Sequence, residues 1–157
     1  MTSYNVIFEQ FFRLVEKDKD FFRYYHLSEE QSRELARIRA ETYLNESCVQ
    51  IMLSDEVDTD FLNRDSEKQQ FNFDLSDTEI LLVASFMYER YLSRDISKLL
   101  SLNANYTPSD LQVFSPAADR TSFMTMYKDV CENNKAMLAN YASMDSSFKQ
   151  KKLNYTL

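Results

Sequence analysis

A chain of 157 residues that is 44% apolar is long enough for one domain with its own core, and its 12 Phe and 10 Tyr argue against disorder. A net charge of −7 and a pI of about 4.8 disfavour nonspecific binding to nucleic acid or to an anionic membrane. There is no glycine, which excludes dinucleotide fingerprints and phosphate-cradling P-loops, weakens every hairpin-rich reading, and leaves long helices as the natural outcome.

The chain opens with Tyr4, Ile7, Phe8, Phe11, Phe12, Leu14 and Val15 at three-to-four-residue spacing, which predicts a first amphipathic helix from Tyr4 to about Lys17. Charges break up this apolar run, so it is neither the core of a signal peptide nor a membrane span of about 20 apolar residues. The aromatic stretch Phe21-Phe22-Arg23-Tyr24-Tyr25 follows. Phe, Tyr and Arg are enriched at interfaces, so Phe21, Phe22, Tyr24 and Tyr25 are expected to meet another subunit or a partner. His26, the single histidine, lacks the motif context of a nucleophilic triad.

Ser28-Glu-Glu-Gln31 reads as a capping box, in which each side chain satisfies an otherwise orphaned backbone donor. It opens a second helix whose stripe Ala36, Ala40, Tyr43, Leu44, Cys48, Ile51 and Met52 runs to about Leu53. Cys48 and Cys131 lie far apart without metal or redox spacing, and are expected to be reduced, packed thiols of a cytosolic protein.

From Ser54 to Asp74 the sequence turns polar and acidic without a sustained period, which predicts an extended loop or exposed arm. Asp55, Glu56, Asp58 and Asp60 make it the expected functional loop, but the EF-hand pattern of a turn glycine and a closing glutamate is missing, so no metal is expected. A second capping box, Ser76 to Glu79, starts a third helix. With Ile80, Leu81, Leu82, Val83, Ala84, Phe86, Met87 and Tyr88 it should be the central one, ending at a break around Pro108. Glu79 and Glu89 are about 15 Å apart along such a helix, too far for an acid/base pair, and capping and surface solvation account for them. Ser115-Pro116 predicts the start of a fourth helix, the longest, with a stripe from Phe123 through Tyr127, Val130, Met137 and Leu138 to Tyr141. The expected organisation is an all-α bundle of about four helices over residues 1–145, with an extended acidic loop and a C-terminal tail, 146–157, carrying three lysines and no acid.

Two blocks add a resemblance. In Arg64 to Leu92 an aromatic-bearing segment leads into the helix start Asp74-Leu-Ser-Asp-Thr-Glu-Ile80. The block Asp110-Leu-Gln-Val-Phe-Ser-Pro-Ala-Ala118 is then followed by a long helix and a closing Asn140-Tyr141. In this order they resemble the head-to-tail connectors of tailed bacteriophages, departing from them where Asp119 follows Ala118 and in the longer tail. Such a connector is a helical, non-enzymatic virion protein without cofactor or metal, assembled in the bacterial cytoplasm as a homo-oligomeric ring of about twelve copies. The resemblance implies a portal protein as one partner, a stopper or tail-completion protein as the other, and DNA passing through an acidic lumen without specific binding. It also implies a portal-docking role for the tail, through Phe148, Lys149, Lys151, Lys152, Leu153, Tyr155 and Leu157. The alternative is a phage-encoded helical regulator that binds a host protein through the acidic 54–74 segment.

Overall fold

A computed structural model describes residues 1–16, 27–54, 57–105 and 117–144, with side chains described outside 95–105 and 117–122. The chain is mostly helical: α1 (Tyr4–Val15), α2 (Glu29–Leu53), α3 (Asp77–Asn105) and α4 (Ala117–Ala142). A two-stranded antiparallel hairpin, β1 (Arg64–Asp65) and β2 (Gln70–Phe71), sits between α2 and α3. The all-α bundle expected from the sequence is the observed fold.

The helices begin where small polar side chains satisfy their first N–H groups. The Ser3 hydroxyl accepts from the Asn5 amide at 3.4 Å. At α2 both halves of the capping box form: the Gln31 amide donates to Ser28 Oγ at 3.2 Å and the Ser28 amide to Gln31 Oε1 at 3.0 Å. At α3 the Ser76 amide donates to Glu79 Oε2 at 2.7 Å and the Glu79 amide returns to Ser76 Oγ at 3.4 Å. The α4 start signal, Ser115-Pro116, lies outside the described residues, and α4 runs from Ala117. Over the described residues α3 has 29 and α4, expected to be the longest, 26; the break expected around Pro108 lies outside the described residues.

The bundle is organised around α3, which packs against α1, α2 and α4. Its Leu82, Val83, Ala84, Phe86 and Met87 are buried, as an apolar face wider than one stripe requires. From α2 come Ala36, Ala40, Tyr43, Leu44, Cys48 and Ile51, and from α1 Tyr4, Ile7, Phe8, Phe11 and Val15. Leu14, expected in the α1 stripe, is exposed. The rings form a connected cluster: Phe11 meets Tyr43 at 5.8 Å and Tyr91 at 6.4 Å, and Tyr43 meets Tyr91 edge-on at 6.2 Å. The Arg94 guanidinium covers the outer side of Tyr43, 5.0 Å from its ring centre.

Of the two expectations for residues 54–74, a connecting loop or an exposed arm, the second does not hold: the described part of the segment is folded onto the bundle by its few apolar residues. Phe61 and Phe71 are fully buried, and Phe71 packs edge-on against Tyr4 at 5.6 Å and Phe73 at 5.8 Å. Three aromatics among many polar residues carry no period, yet each buries enough area to anchor a loop. The N-terminal residues pair beside β2: the Phe71 amide donates to the Thr2 carbonyl at 2.8 Å, Thr2 to Phe73 at 3.1 Å and Tyr4 to Gln69 at 2.9 Å.

The hairpin also overturns the expectation that a chain without glycine avoids such turns. Its loop, Ser66–Gln69, is held by Asp65 Oδ1, which accepts from the Glu67 and Lys68 amides at 3.0 Å each. Gln69 then takes the left-handed conformation, φ 51°, that glycine usually fills. Its side chain accepts from the Arg37 guanidinium at 2.9 Å.

Replacing Gln69 by Ala or by Gly removes the same Arg37 contact, but only Ala keeps a Cβ in the left-handed region. The Ala variant is expected to unfold in urea at a lower midpoint than the Gly variant, by about 1 kcal/mol.

Candidate functional site

Among the described residues, polar chemistry inside the bundle is concentrated at two carboxyl groups of α3 and the side chains that α4 brings to them. Glu79, the capping residue, is 2% exposed. Its Oε2 accepts from both the amide and the hydroxyl of Ser76 at 2.7 Å, and its Oε1 accepts from the Tyr141 hydroxyl at 2.5 Å. Thr59 Oγ1 lies 2.7 Å from the same phenol oxygen, and Phe61 packs on the Tyr141 ring at 6.4 Å. One carboxyl therefore caps α3, tethers the end of α4 and, through Tyr141, holds the loop before the hairpin.

The second group is Glu89, where surface solvation is the wrong expectation: it is nearly buried. Gln50 of α2 donates to its Oε1 at 2.9 Å, and Asn134 of α4 to its Oε2 at 2.8 Å. The other Asn134 bond runs to the Ser85 carbonyl at 3.1 Å. Glu89 thus ties three helices. Asn134 occupies the apolar stripe of α4, in the series Phe123, Tyr127, Val130, Asn134, Leu138, Tyr141, and a polar residue in such a seam fixes register. Sequence reading missed Gln50, Thr59 and Asn134; the one available signal was an Asn at a stripe position.

Burial above all, and then the hydrogen bond to Glu79, raise the Tyr141 phenol well above its ordinary value of 10.0. Burial, followed by the neighbouring Cys131, pushes Tyr127 up to about 12. Both thiols are free; burial pushes Cys48 up to about 11 and Cys131 upward as well, so neither is an activated nucleophile.

An open cleft of about 460 Å³ lies between α1 and α2, with Phe8 and Phe12 on one wall and Arg33 and Arg37 on the other. Its cations are already engaged, Arg33 with Glu29 at 2.5 Å, and Arg37 with Asn5 and Gln69 at 2.9 Å each. No group of three or more His, Cys, Asp or Glu among the described residues could hold a metal ion. No helix there is long and apolar enough to cross a membrane.

Of the sequence-predicted contact residues, Asp58 and Asp60 are exposed, and Asp60 Oδ1 accepts from the Leu62 amide at 2.9 Å as a turn cap. Phe21, Phe22, Tyr24, Tyr25, Asp55, Glu56 and the tail residues Phe148, Lys149, Lys151, Lys152, Leu153, Tyr155 and Leu157 lie outside the described residues, as does His26. No protein-family model matches the chain, and neither a curated protein nor a solved structure is similar to it.

Tyr141→Phe leaves a buried Glu79 oxygen without its donor, and is expected to lower unfolding free energy by about 1–3 kcal/mol in a urea titration. The folded state holds the Tyr141 and Tyr127 protons more tightly than the unfolded chain does. Their contribution is therefore intact below about pH 10 and is lost as pH rises toward and beyond 12. Melting temperatures should fall over that alkaline range, less steeply in Tyr141→Phe than in the wild type.

Proposed function

We propose that the chain is a structural protein of a tailed-bacteriophage virion, a head-to-tail connector. It forms a ring below the portal, receives a stopper or tail-completion protein on its other side and lets DNA pass through its lumen. The observation that carries this reading is the contact between Glu79 and Tyr141. Glu79 belongs to the first block of the resemblance, the helix start, and Tyr141 closes the second. That these positions, 62 residues apart, meet in one buried cluster supports reading the two blocks together as parts of one fold.

The physical chemistry agrees with a passive joint. The two buried carboxyls among the described residues of α3 are spent on joining helices, as a rigid coupling requires, and a net charge of −7 would keep the phosphate backbone from adhering to the lumen. The basic, aromatic tail from Ser146 to Leu157 supplies the segment that docks on the portal. In this reading the protein is made in the host cytoplasm and ends in the virion neck, with no catalytic residue, cofactor or metal.

Native mass spectrometry of the purified chain mixed with the portal protein of the same phage tests the proposal. A ring of many copies on the portal is the expected result, lost when residues 146–157 are deleted. A chain that never binds portal, and instead captures a basic host protein through Asp58 and Asp60, would replace this reading by the regulator.

A further inference from the structure

Helix α2 is apolar on two sides. The face carrying Ala40, Tyr43, Ser47 and Ile51 is buried in the bundle. On the opposite side Leu35, Ile38, Thr42, Asn45, Val49 and Met52 follow one another at alternating spacings of three and four, the a/d spacing of a coiled coil, with Leu35 half-buried and Met52, at the end of the series, half-buried against the bundle's own core. Ile38 is 54% and Val49 44% exposed, and Leu53 beside the seam is 80% exposed. An apolar seam of this regularity along a 25-residue helix lacks its second strand within the described residues.

We infer that this face pairs with the same face of a second copy, antiparallel, about a two-fold axis at Thr42 and Asn45. The seam is self-complementary in that orientation: Leu35 stands against Met52 of the other copy, Ile38 against Val49, and Thr42 against Asn45. The apolar layers thus enclose a central polar pair. Thr42 Oγ1 already donates to the Ile38 carbonyl at 3.2 Å, which leaves its lone pairs to accept from the Asn45 amide across the axis.

The flanking charges select the direction. Antiparallel pairing sets Arg39 opposite Glu46 of the other copy, twice by symmetry, with no like-charged pair beside the seam among the described residues; Glu46, half-exposed and 4.0 Å from Arg94 within its own chain, gains Arg39 as a second cation. Parallel pairing would match Glu34 with Arg39 but set Glu41 against Glu46, cancelling the gain. Helix dipoles also favour the antiparallel arrangement.

A two-fold contact closes on itself and yields dimers, not rings. It therefore does not depend on the connector reading. If that reading holds, the dimer is the free form that must open before a ring is built.

Sedimentation velocity on the full chain, with circular dichroism confirming the fold of each variant, tests the pairing. The wild type is expected to dimerise. Arg39→Glu and Glu46→Arg should each weaken the dimer about tenfold or more, and the double reversal should restore it. Tightening by Glu46→Arg alone would indicate parallel pairing and overturn the inference. A persistent monomer, a dimer or ring indifferent to both reversals, or a monomer that melts earlier in each variant because its own chain covers the face, would also overturn it.

Discussion

A carboxyl group taken out of water needs a donor for each of its oxygens, and α3 places two such groups inside the bundle. How those needs are met places α4 and the loop before the hairpin on α3 and adds a tie to α2. Glu79 draws its donors from the turn before its own helix and from the far end of α4, and Glu89 draws one from α2 and one from α4. Apolar contacts give α4 its affinity for the core, but they would tolerate a slide by one turn. The Asn134–Glu89 and Tyr141–Glu79 bonds would not, because a slide would strand both carboxyls. Among the described side chains of α4 only Asn134, Leu138 and Tyr141 are buried, so its register rests on these two polar contacts more than on volume.

The helices were legible in the sequence because their signals are local. Ser28 with Gln31 and Ser76 with Glu79 are separated by three positions, and the α2 stripe from Ala36 to Ile51 repeats within a turn, so a short window contains the cause of the structure. That residues 54–74 form a packed loop and not an exposed arm is illegible for the opposite reason. Their packing depends on Phe61 meeting Tyr141 and Phe71 meeting Tyr4, far away in sequence, with Phe73 against Phe71. The absence of glycine was an equally good guide to the fold class and a poor one to a single turn. Gln69 enters positive φ because the Asp65 turn and the Arg37 contact secure it on both sides.

The polar cluster was half legible. Glu79 was found as a cap and Tyr141 as the close of a motif, but nothing in one dimension says that the two touch. Glu89 looked like a solvated surface acid because ERYLSRD is polar on average. What removes it from water is Gln50 on one side and Asn134 on the other, partners that only the packing of three helices brings together.

The pairing of residues 2–4 with 69–73 bears on how the chain reaches this state. A helical bundle usually folds quickly, because neighbours in sequence are neighbours in space. Here the Leu75 amide bonds to Thr2 across 73 residues, and Tyr4, the first residue of α1, is seated against Phe71. Closing so long a loop costs entropy before any contact returns it. During synthesis α1 and α2 emerge well before the hairpin that completes the site of Tyr4. The nascent chain must therefore carry α1's aromatic face incompletely covered until nearly half the protein has left the ribosome.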